Sequence, residues 1–202
     1  MEIDTNPSYF FRDKEVWDVL RKEIETEYVE FPKIRGYNRK ETIKILCLGC
    51  SSGDEAYSIS MLMQELNLPH EIDALDIDKE KIEFAKKGIY TKESLGNLSP
   101  ARLNKYFVKL GSRYKIKQEM FNINFMVKDG FEHLSEAKVY MDFKEPKNGY
   151  SIILCRSVLL MYNKEKAANL LEKMKECIFL RGILVLSPDD KMPENIDKYF
   201  EI

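Results

Sequence analysis

The segment Ile43-Lys-Ile-Leu-Cys-Leu-Gly-Cys-Ser-Ser-Gly-Asp-Glu-Ala-Tyr-Ser58 constrains the fold more than any other part of the chain. Ile43 to Leu48 is an apolar run of strand length. Gly49 breaks it, small residues lead to Gly53, and an amphipathic segment begins at Asp54. Strand, glycine turn and helix, in that order, bring backbone close to a nucleoside-bearing cofactor in α/β folds. A second apolar stretch, Ile72 to Leu75, ends in Asp76, about 23 residues beyond Gly53. An acidic residue at the tip of a second strand is placed to grip ribose hydroxyls.

Three chemistries compete for this loop. Gly49-Cys-Ser-Ser-Gly53 lacks the third glycine of G-x-G-x-x-G, which weakens a dinucleotide reading. It does spell G-x-S-x-G, the nucleophile elbow of α/β-hydrolases, with Ser51 as nucleophile. That fold needs a histidine late in the chain, and His70 and His133 both precede the last strands. Both read as ordinary surface or helix-end residues. The third chemistry is binding of S-adenosyl-L-methionine (SAM), which needs a close-approach glycine loop and a ribose carboxylate but no phosphate cradle. Asp54 and Glu55 at the helix start repel a pyrophosphate and attract a sulfonium or an amino group, besides suiting the helix dipole.

The rest of the chain alternates strands with helices. Val16, Trp17, Leu20 and Ile24 fall at helical spacing within residues 13–28, with Asp13 as the expected cap. Helices are expected from Asp54 to Leu66, from Lys79 to Lys87 with Gly88 as stop, from Ser99-Pro100 to Phe107, and from Lys164 to Phe179. Tyr150 to Cys155 is a continuous apolar run. Arg181-Gly182 reads as a turn before a buried strand, Ile183 to Leu186, and Lys198 to Ile202 as an edge strand. Tyr114-Lys-Ile-Lys and Phe121-Asn-Ile-Asn-Phe alternate apolar and polar residues, the period of half-exposed antiparallel strands, with Asn124 to Val127 joining the main sheet. The expected fold is therefore α/β, a doubly wound, mainly parallel Rossmann-like sheet with a small antiparallel insertion over residues 108–125. All 202 residues are expected to form one domain.

Composition narrows the partners. Lys and Arg number 32 against 34 Asp and Glu, which argues against a general nucleic-acid binder. No apolar run reaches membrane-spanning length and the polar N-terminus lacks a signal pattern, so a cytoplasmic location without membrane insertion is expected; a monomer is the expected oligomeric state. Cys47-Leu-Gly-Cys50 is formally C-x-x-C, but Cys47 lies within the strand rather than at a helix start. Buried, reduced thiols are expected for Cys47, Cys50, Cys155 and Cys177. No second cysteine pair or histidine cluster completes a zinc site, so no metal is expected.

Several ordered motifs then coincide. Thr5-Asn-Pro-Ser-Tyr-Phe-Phe-Arg-Asp13 resembles T-N-x-T-x-F-F-R followed by an acid, and Gly49 to Ser58 resembles G-C-S-T-G-E-E-P-Y-S. Asp76-Ile-Asp78, Ala85-Lys-Lys-Gly-Ile-Tyr90, Leu98-Ser-Pro100, Lys105-Tyr-Phe107 and Ile153-Leu-Cys-Arg-Ser-Val-Leu159 continue the series. From about Thr5 to Pro188 the chain is similar to the catalytic region of chemotaxis-receptor glutamate methyltransferases of the CheR type. That resemblance implies methyl transfer from SAM to a glutamate side-chain carboxylate of receptor cytoplasmic domains, with S-adenosylhomocysteine as product. A carboxylate is already ionised at neutral pH, so alignment and desolvation rather than a general base are implied.

By motif position the resemblance places Asn6 and Ser8 against the cofactor, Glu55 at its amino end, Asp76 at the ribose, and Asp129-Gly130 beside the adenine. Arg12, Gly49, Ser51, Arg156 and Ser157 complete the implied cofactor contacts. Arg12 and Arg156 are the candidates for holding the acceptor in line, with Tyr162 as a third catalytic candidate. Three departures stand out. The usual N-terminal helical domain is expected to be missing. Cys155-Arg-Ser-Val-Leu-Leu-Met-Tyr162 replaces C-R-N-V-x-I-Y-F, putting Met161 at the tyrosine position. Ser187-Pro-Asp-Asp190 replaces G-H-S-E. These departures keep two other readings open: a SAM-binding sensor or interaction module with lost or weak catalysis, and transfer to a different protein or small-molecule acceptor.

Overall fold

A computed structural model describes residues 8–34, 42–136 and 149–190. Asn6 and the edge strand expected at Lys198 to Ile202 lie outside the described residues. The chain begins with helix α1 (Lys14–Ile24), continues through a π-helical stretch (Glu25–Glu30) and ends that run in α2 (Phe31–Ile34). Then follow β1 (Ile43–Leu48), α3 (Asp54–Glu65), β2 (His70–Asp76), α4 (Lys79–Lys87), β3 (Ile89–Tyr90) and α5 (Pro100–Tyr106). The remaining elements are β4 (Phe107–Leu110), β5 (Arg113–Ile116), β6 (Ile123–Val127), α6 (Gly130–Glu136), β7 (Tyr150–Cys155), α7 (Lys164–Cys177) and β8 (Ile178–Leu186).

Five strands form a parallel sheet in the order β6-β2-β1-β7-β8. Strand order reverses beside β1, so the crevice between the carboxyl ends of β1 and β7 is the place where α/β sheets bind ligands. The period of two divides β1 between two cores. Ile43, Ile45 and Cys47 join Trp17, Leu20 and Ile24 of α1 and the buried side of α3. Leu46 and Leu48 face Leu134 of α6 and Leu170, Leu171 and Met174 of α7. Burial on both faces explains why β1 and β7 read as nearly unbroken apolar runs.

Helix ends follow local chemistry. Asp78 caps α4 by accepting from Glu80 N at 2.8 Å, and Gly88 stops it with φ +61. Ser99 Oγ accepts from Arg102 N at 3.2 Å, with Pro100 at the first helical position.

Three expectations need correction. Asp13 is not a side-chain cap: it has left-handed backbone with φ +57, and its carboxylate turns to Arg156. Ile123 to Val127, expected partly within the insertion, pairs parallel with β2, while the second sheet is β3-β5-β4, closed by Ile89-Tyr90 pairing with Lys115 and Tyr114. Arg181-Gly182 is not a turn between helix and strand. α7 ends at Cys177, and β8 runs through an irregularity where Arg181 takes φ +65.

The small sheet is joined to the main body by aromatic rings. Phe10 meets Tyr90 and Phe107 edge-on at centroid distances of 4.8 and 5.3 Å, and Tyr57 meets Phe121 at 5.1 Å.

Candidate functional site

The sequence places its candidates at the carboxyl edge of the sheet, and most of them meet there. Gly49 leaves β1 with φ +65, a backbone region that favours glycine. A Cβ at this position would lie 2.6 Å from Val158 Cγ2, so the close approach here is to the loop after β7. Ser51 also takes positive φ, +46, and its N–H donates to Asp76 Oδ2 at 2.8 Å. Asp76 Oδ1 accepts from Asp78 N at 2.9 Å. Each oxygen of this carboxylate keeps acceptor capacity for a ribose hydroxyl while bracing the glycine loop.

Arg156, at the end of β7, is the hub. Its Nη1 donates to Glu55 Oε1 at 3.0 Å and to Arg12 O at 3.3 Å, and its Nη2 donates to Asp13. Only 6% of its side chain is exposed. Burial pushes the Glu55 carboxyl above its ordinary value, against the opposing pull of Arg156. Arg12 Nε lies 3.6 Å from Asp13 Oδ2, and its Nη2 lies 3.9 Å from Asp189 Oδ2.

The segment before α1 is a firmly held arm. Phe11 N donates to Ser58 Oγ at 3.0 Å, Asn97 Nδ2 to Phe11 O at 3.0 Å, and Trp17 Nε1 to Arg12 O at 2.8 Å. These bonds hold Phe11 in left-handed backbone with φ +51, and Arg12 emerges beside Glu55 and Arg156 as a result. Ser8 Oγ donates to Asp54 Oδ2 at 3.1 Å, and Ser52 Oγ donates to the same oxygen. Burial pushes the Asp54 carboxyl up, opposed by those two hydroxyls.

The other end of the row is different. Asp129 Oδ1 accepts from Glu132 N at 3.1 Å and so caps α6, and a Cβ on Gly130 would come 3.2 Å from Leu48 Cδ2. The Tyr162 ring packs edge-on against Phe131 at 5.5 Å, in a cavity of about 410 Å³ bounded by Asp129, Asn163 and Lys166. Among the described contacts, Tyr162 has none with Arg12 or Arg156. Met161 is 74% exposed. Ser157 has φ +59 and donates its N–H to Asp190 Oδ2 at 3.0 Å.

Sequence reasoning missed Asp13 as a partner of Arg156, the anchors Trp17, Ser58 and Asn97, and the inward turn of Asp190. Asp13, Ser58 and Asp190 each stood in a motif segment, but nothing local in the sequence pointed to the contacts they make.

Elsewhere the loop chemistry supports neither rival reading. Cys47, Cys50, Cys155 and Cys177 are buried thiols outside any disulfide, and burial pushes the Cys50 thiol up. His70 bonds Ser60 Oγ at 2.7 Å and His133 bonds Tyr150 OH at 2.6 Å, so neither is partnered with Ser51. Among the described residues, no helix is long and apolar enough to cross a membrane.

A family model described as CheR methyltransferase, SAM binding domain, matches residues 6–202. The chain belongs to that family. A chemotaxis protein methyltransferase of Borreliella burgdorferi is 28% identical over 202 residues, covering 96% of this chain and 67% of its own length. One from Vibrio parahaemolyticus is 29% identical over 206 residues, covering 98% of this chain and 69% of its own. A solved SAM-dependent methyltransferase from Agrobacterium tumefaciens is 14% identical with TM-score 0.48, over 87% of this chain and 44% of that one. PKMT2 from Rickettsia typhi is 15% identical with TM-score 0.48, over 89% of this chain and 26% of that one. These two likenesses are too loose to add to the family match.

Membership makes SAM the cofactor of this CheR domain, and the residues fit it. Arg156 Nε and Asp54 Oδ1 are buried without hydrogen-bond partners among the described residues, one a donor and the other an acceptor. Asp76, at the end of β2, keeps acceptor capacity beyond its bond from Ser51, and Glu55 has one oxygen committed to Arg156.

Proposed function

We propose that this CheR domain transfers a methyl group from SAM to a glutamate side-chain carboxylate of chemotaxis receptors. The observation that carries the reading is the meeting of Arg12, Arg156, Glu55 and Asp13 at the carboxyl ends of β1 and β7. The relatives named chemotaxis protein methyltransferase support the receptor as acceptor. Bound SAM would supply an activated methyl group: the new bond would form between a carboxylate oxygen and the methyl carbon as the methyl–sulfur bond breaks, giving a methyl ester with S-adenosylhomocysteine as the leaving group.

The protein's own residues then have a positioning task. Asp76 fixes the nucleoside end, and Glu55 attracts the cofactor's ammonium. Arg156, balanced by Glu55 and Asp13, keeps Glu55 aimed and presents its unpartnered Nε–H. Arg12 has looser partners than Arg156 and receives the incoming carboxylate. The group needs no proton removed, so the rate depends on holding an oxygen in line with the methyl and keeping water out.

Incubation with tritiated SAM and receptor cytoplasmic fragments tests this. The expected result is base-labile methyl ester on the receptor that disappears in Arg12→Ala. A second reading, a SAM-binding module with weak catalysis, is favoured by the exposed Met161 at the family's tyrosine position and by Tyr162 turning towards Phe131. Under that reading the domain binds S-adenosylhomocysteine but labels no receptor.

A further inference from the structure

The turn after β8 departs from the family pattern, and the proposed chemistry does not yet use it. We propose that Asp190 is a positioning residue that holds Arg156 in its working orientation by gripping the backbone of the loop that follows β7. The proposal rests on the reading of this cleft as the SAM site.

Asp190 is 4% exposed, and its carboxylate collects three backbone N–H groups. Oδ2 accepts from Ser157 at 3.0 Å and from Ser187 at 2.9 Å, and Oδ1 accepts from Leu160 at 3.2 Å. Asp190 N returns a bond to Ser187 O at 3.0 Å, so the turn closes on itself before reaching across to β7. Hydrogen bonds to an ionised acceptor are the stronger kind, and two of these cross 33 and 30 residues of chain.

The loop needs such a hold. Ser157 sits in left-handed backbone at φ +59, a conformation that a non-glycine residue keeps only when its surroundings impose it. Its neighbour Val158 is pressed into the space that the missing Gly49 side chain leaves open. Arg156 immediately precedes both, and its guanidinium must reach Glu55, Asp13 and Arg12 O together. Releasing Ser157 to ordinary backbone rotates the peptide that carries Arg156. The adjacent Asp189 reaches Arg12 at 3.9 Å, so one turn serves both arginines, firmly through Asp190 and loosely through Asp189.

Chemistry separates the variants. Asp190→Asn replaces one acceptor oxygen by a donor facing N–H groups, whereas Asp190→Glu keeps both oxygens on a longer stem. In the full chain, well below its melting temperature, Asp190→Asn is expected to weaken S-adenosylhomocysteine binding in calorimetry by about tenfold, and Asp190→Glu to recover most of it. Where receptor methylation is measurable, kcat falls by about 10²-fold, the scale of an ångström-sized misplacement. Because Asp190 acts through Arg156, adding Asp190→Asn to Arg156→Ala costs little more than Arg156→Ala alone. The protein without cofactor gives an independent readout: the NMR signal of the buried Arg156 Nε–H should move and exchange faster with solvent in Asp190→Asn. The proposal is overturned if folded Asp190→Asn leaves that signal unchanged, or if its loss of binding adds in full to that of Arg156→Ala. If the wild-type protein binds S-adenosylhomocysteine but methylates no receptor, the transfer reading fails while the binding and NMR results still decide the role of Asp190.

Discussion

Arg156 Nη1 donates to Glu55 Oε1 at 3.0 Å, joining the end of β7 to the first turn of α3 across the crevice where the sheet reverses. The pair is mostly withdrawn from water, with side-chain exposures of 6% and 17%. A buried pair of this kind is weak evidence for net stabilisation, but removing one partner leaves an uncompensated charge. The arrangement is therefore better suited to fixing the direction of the Glu55 carboxylate than to holding the fold together.

Arg156→Ala is accordingly expected to lower stability by about 3 kcal/mol, since Glu55 loses its cation in a desolvated place. Arg156→Met, which fills the space but supplies no charge, should do no better. Glu55→Gln should cost less stability, because Asp13 still balances Arg156, yet weaken S-adenosylhomocysteine by tenfold or more. Chemical denaturation and calorimetry on the three variants check this. Equal losses of stability for Arg156→Ala and Glu55→Gln would remove the argument.

Gly49→Ala is expected to destabilise by about 1–3 kcal/mol from two separable sources, left-handed backbone strain and overpacking. The built Cβ meets Val158 Cγ2 at 2.6 Å. Val158→Ala in the same chain should relieve the steric part and leave the backbone part, giving a clear non-additivity in a double-mutant cycle. Strict additivity of the two changes would mean that Val158 is not what excludes a side chain at Gly49.

Asp54 gives the fold a pH dependence with a definite sign. Burial raises its folded-state carboxyl above the ordinary 3.8, so the folded chain holds this proton more tightly than the unfolded chain does. The contribution is fully present below the ordinary value and is lost as pH rises through the raised one. Asp54→Asn should therefore gain stability relative to wild type as pH rises across that window, with the difference levelling off above it. Melting temperatures of both proteins over a pH series measure it. A difference that stays constant with pH contradicts the desolvated carboxyl.

Much of this was legible because the relevant physics is local. The run Ile43 to Leu48 and the helix Lys79 to Lys87 appear with the bounds their patterns predict, since burial periodicity and the Asp78 and Gly88 signals lie within the segments themselves. Other features depend on residues far away in sequence. His70-Glu71 is too polar to announce a strand, but it pairs with Ile43 and Lys44 at the open end of the sheet. Ile89-Tyr90 is too short to signal, and becomes β3 only because β5 lies alongside. Arg181-Gly182 has turn chemistry and instead bends β8. The position of Asp76 at the end of β2 was legible from the apolar run before it. The roles of Asp13 and Asp190 were not, because each is defined by a contact more than 30 residues away.

The thiols offer a check on the loop itself. All four cysteines are buried, and burial pushes Cys50 and Cys155 up, away from the thiolate form that reacts. Folded protein should resist alkylation by iodoacetamide at neutral pH and take four labels only after denaturation, as read by intact mass. Rapid labelling of Cys47 or Cys50 in the folded state would reopen redox chemistry for the C-x-x-C segment.

The last prediction concerns Met161, which is 74% exposed in a 3-10 turn directly after the loop that carries Arg156. An exposed methionine adds little to the core, so Met161→Tyr should leave stability within about 0.5 kcal/mol. At this position the resembled family carries a tyrosine, whereas the neighbouring Tyr162 of this chain packs towards Phe131. If the domain is a methyltransferase weakened by this substitution, Met161→Tyr should raise kcat on receptor fragments about tenfold, equivalent to about 1.4 kcal/mol of the barrier. Affinity for S-adenosylhomocysteine should stay unchanged, since the gain comes from the acceptor side. Tyr162→Phe, by contrast, should alter neither quantity. An unchanged or lower kcat in Met161→Tyr would show that Met161 does not limit transfer, and would turn attention to Ser157 as the departure that matters.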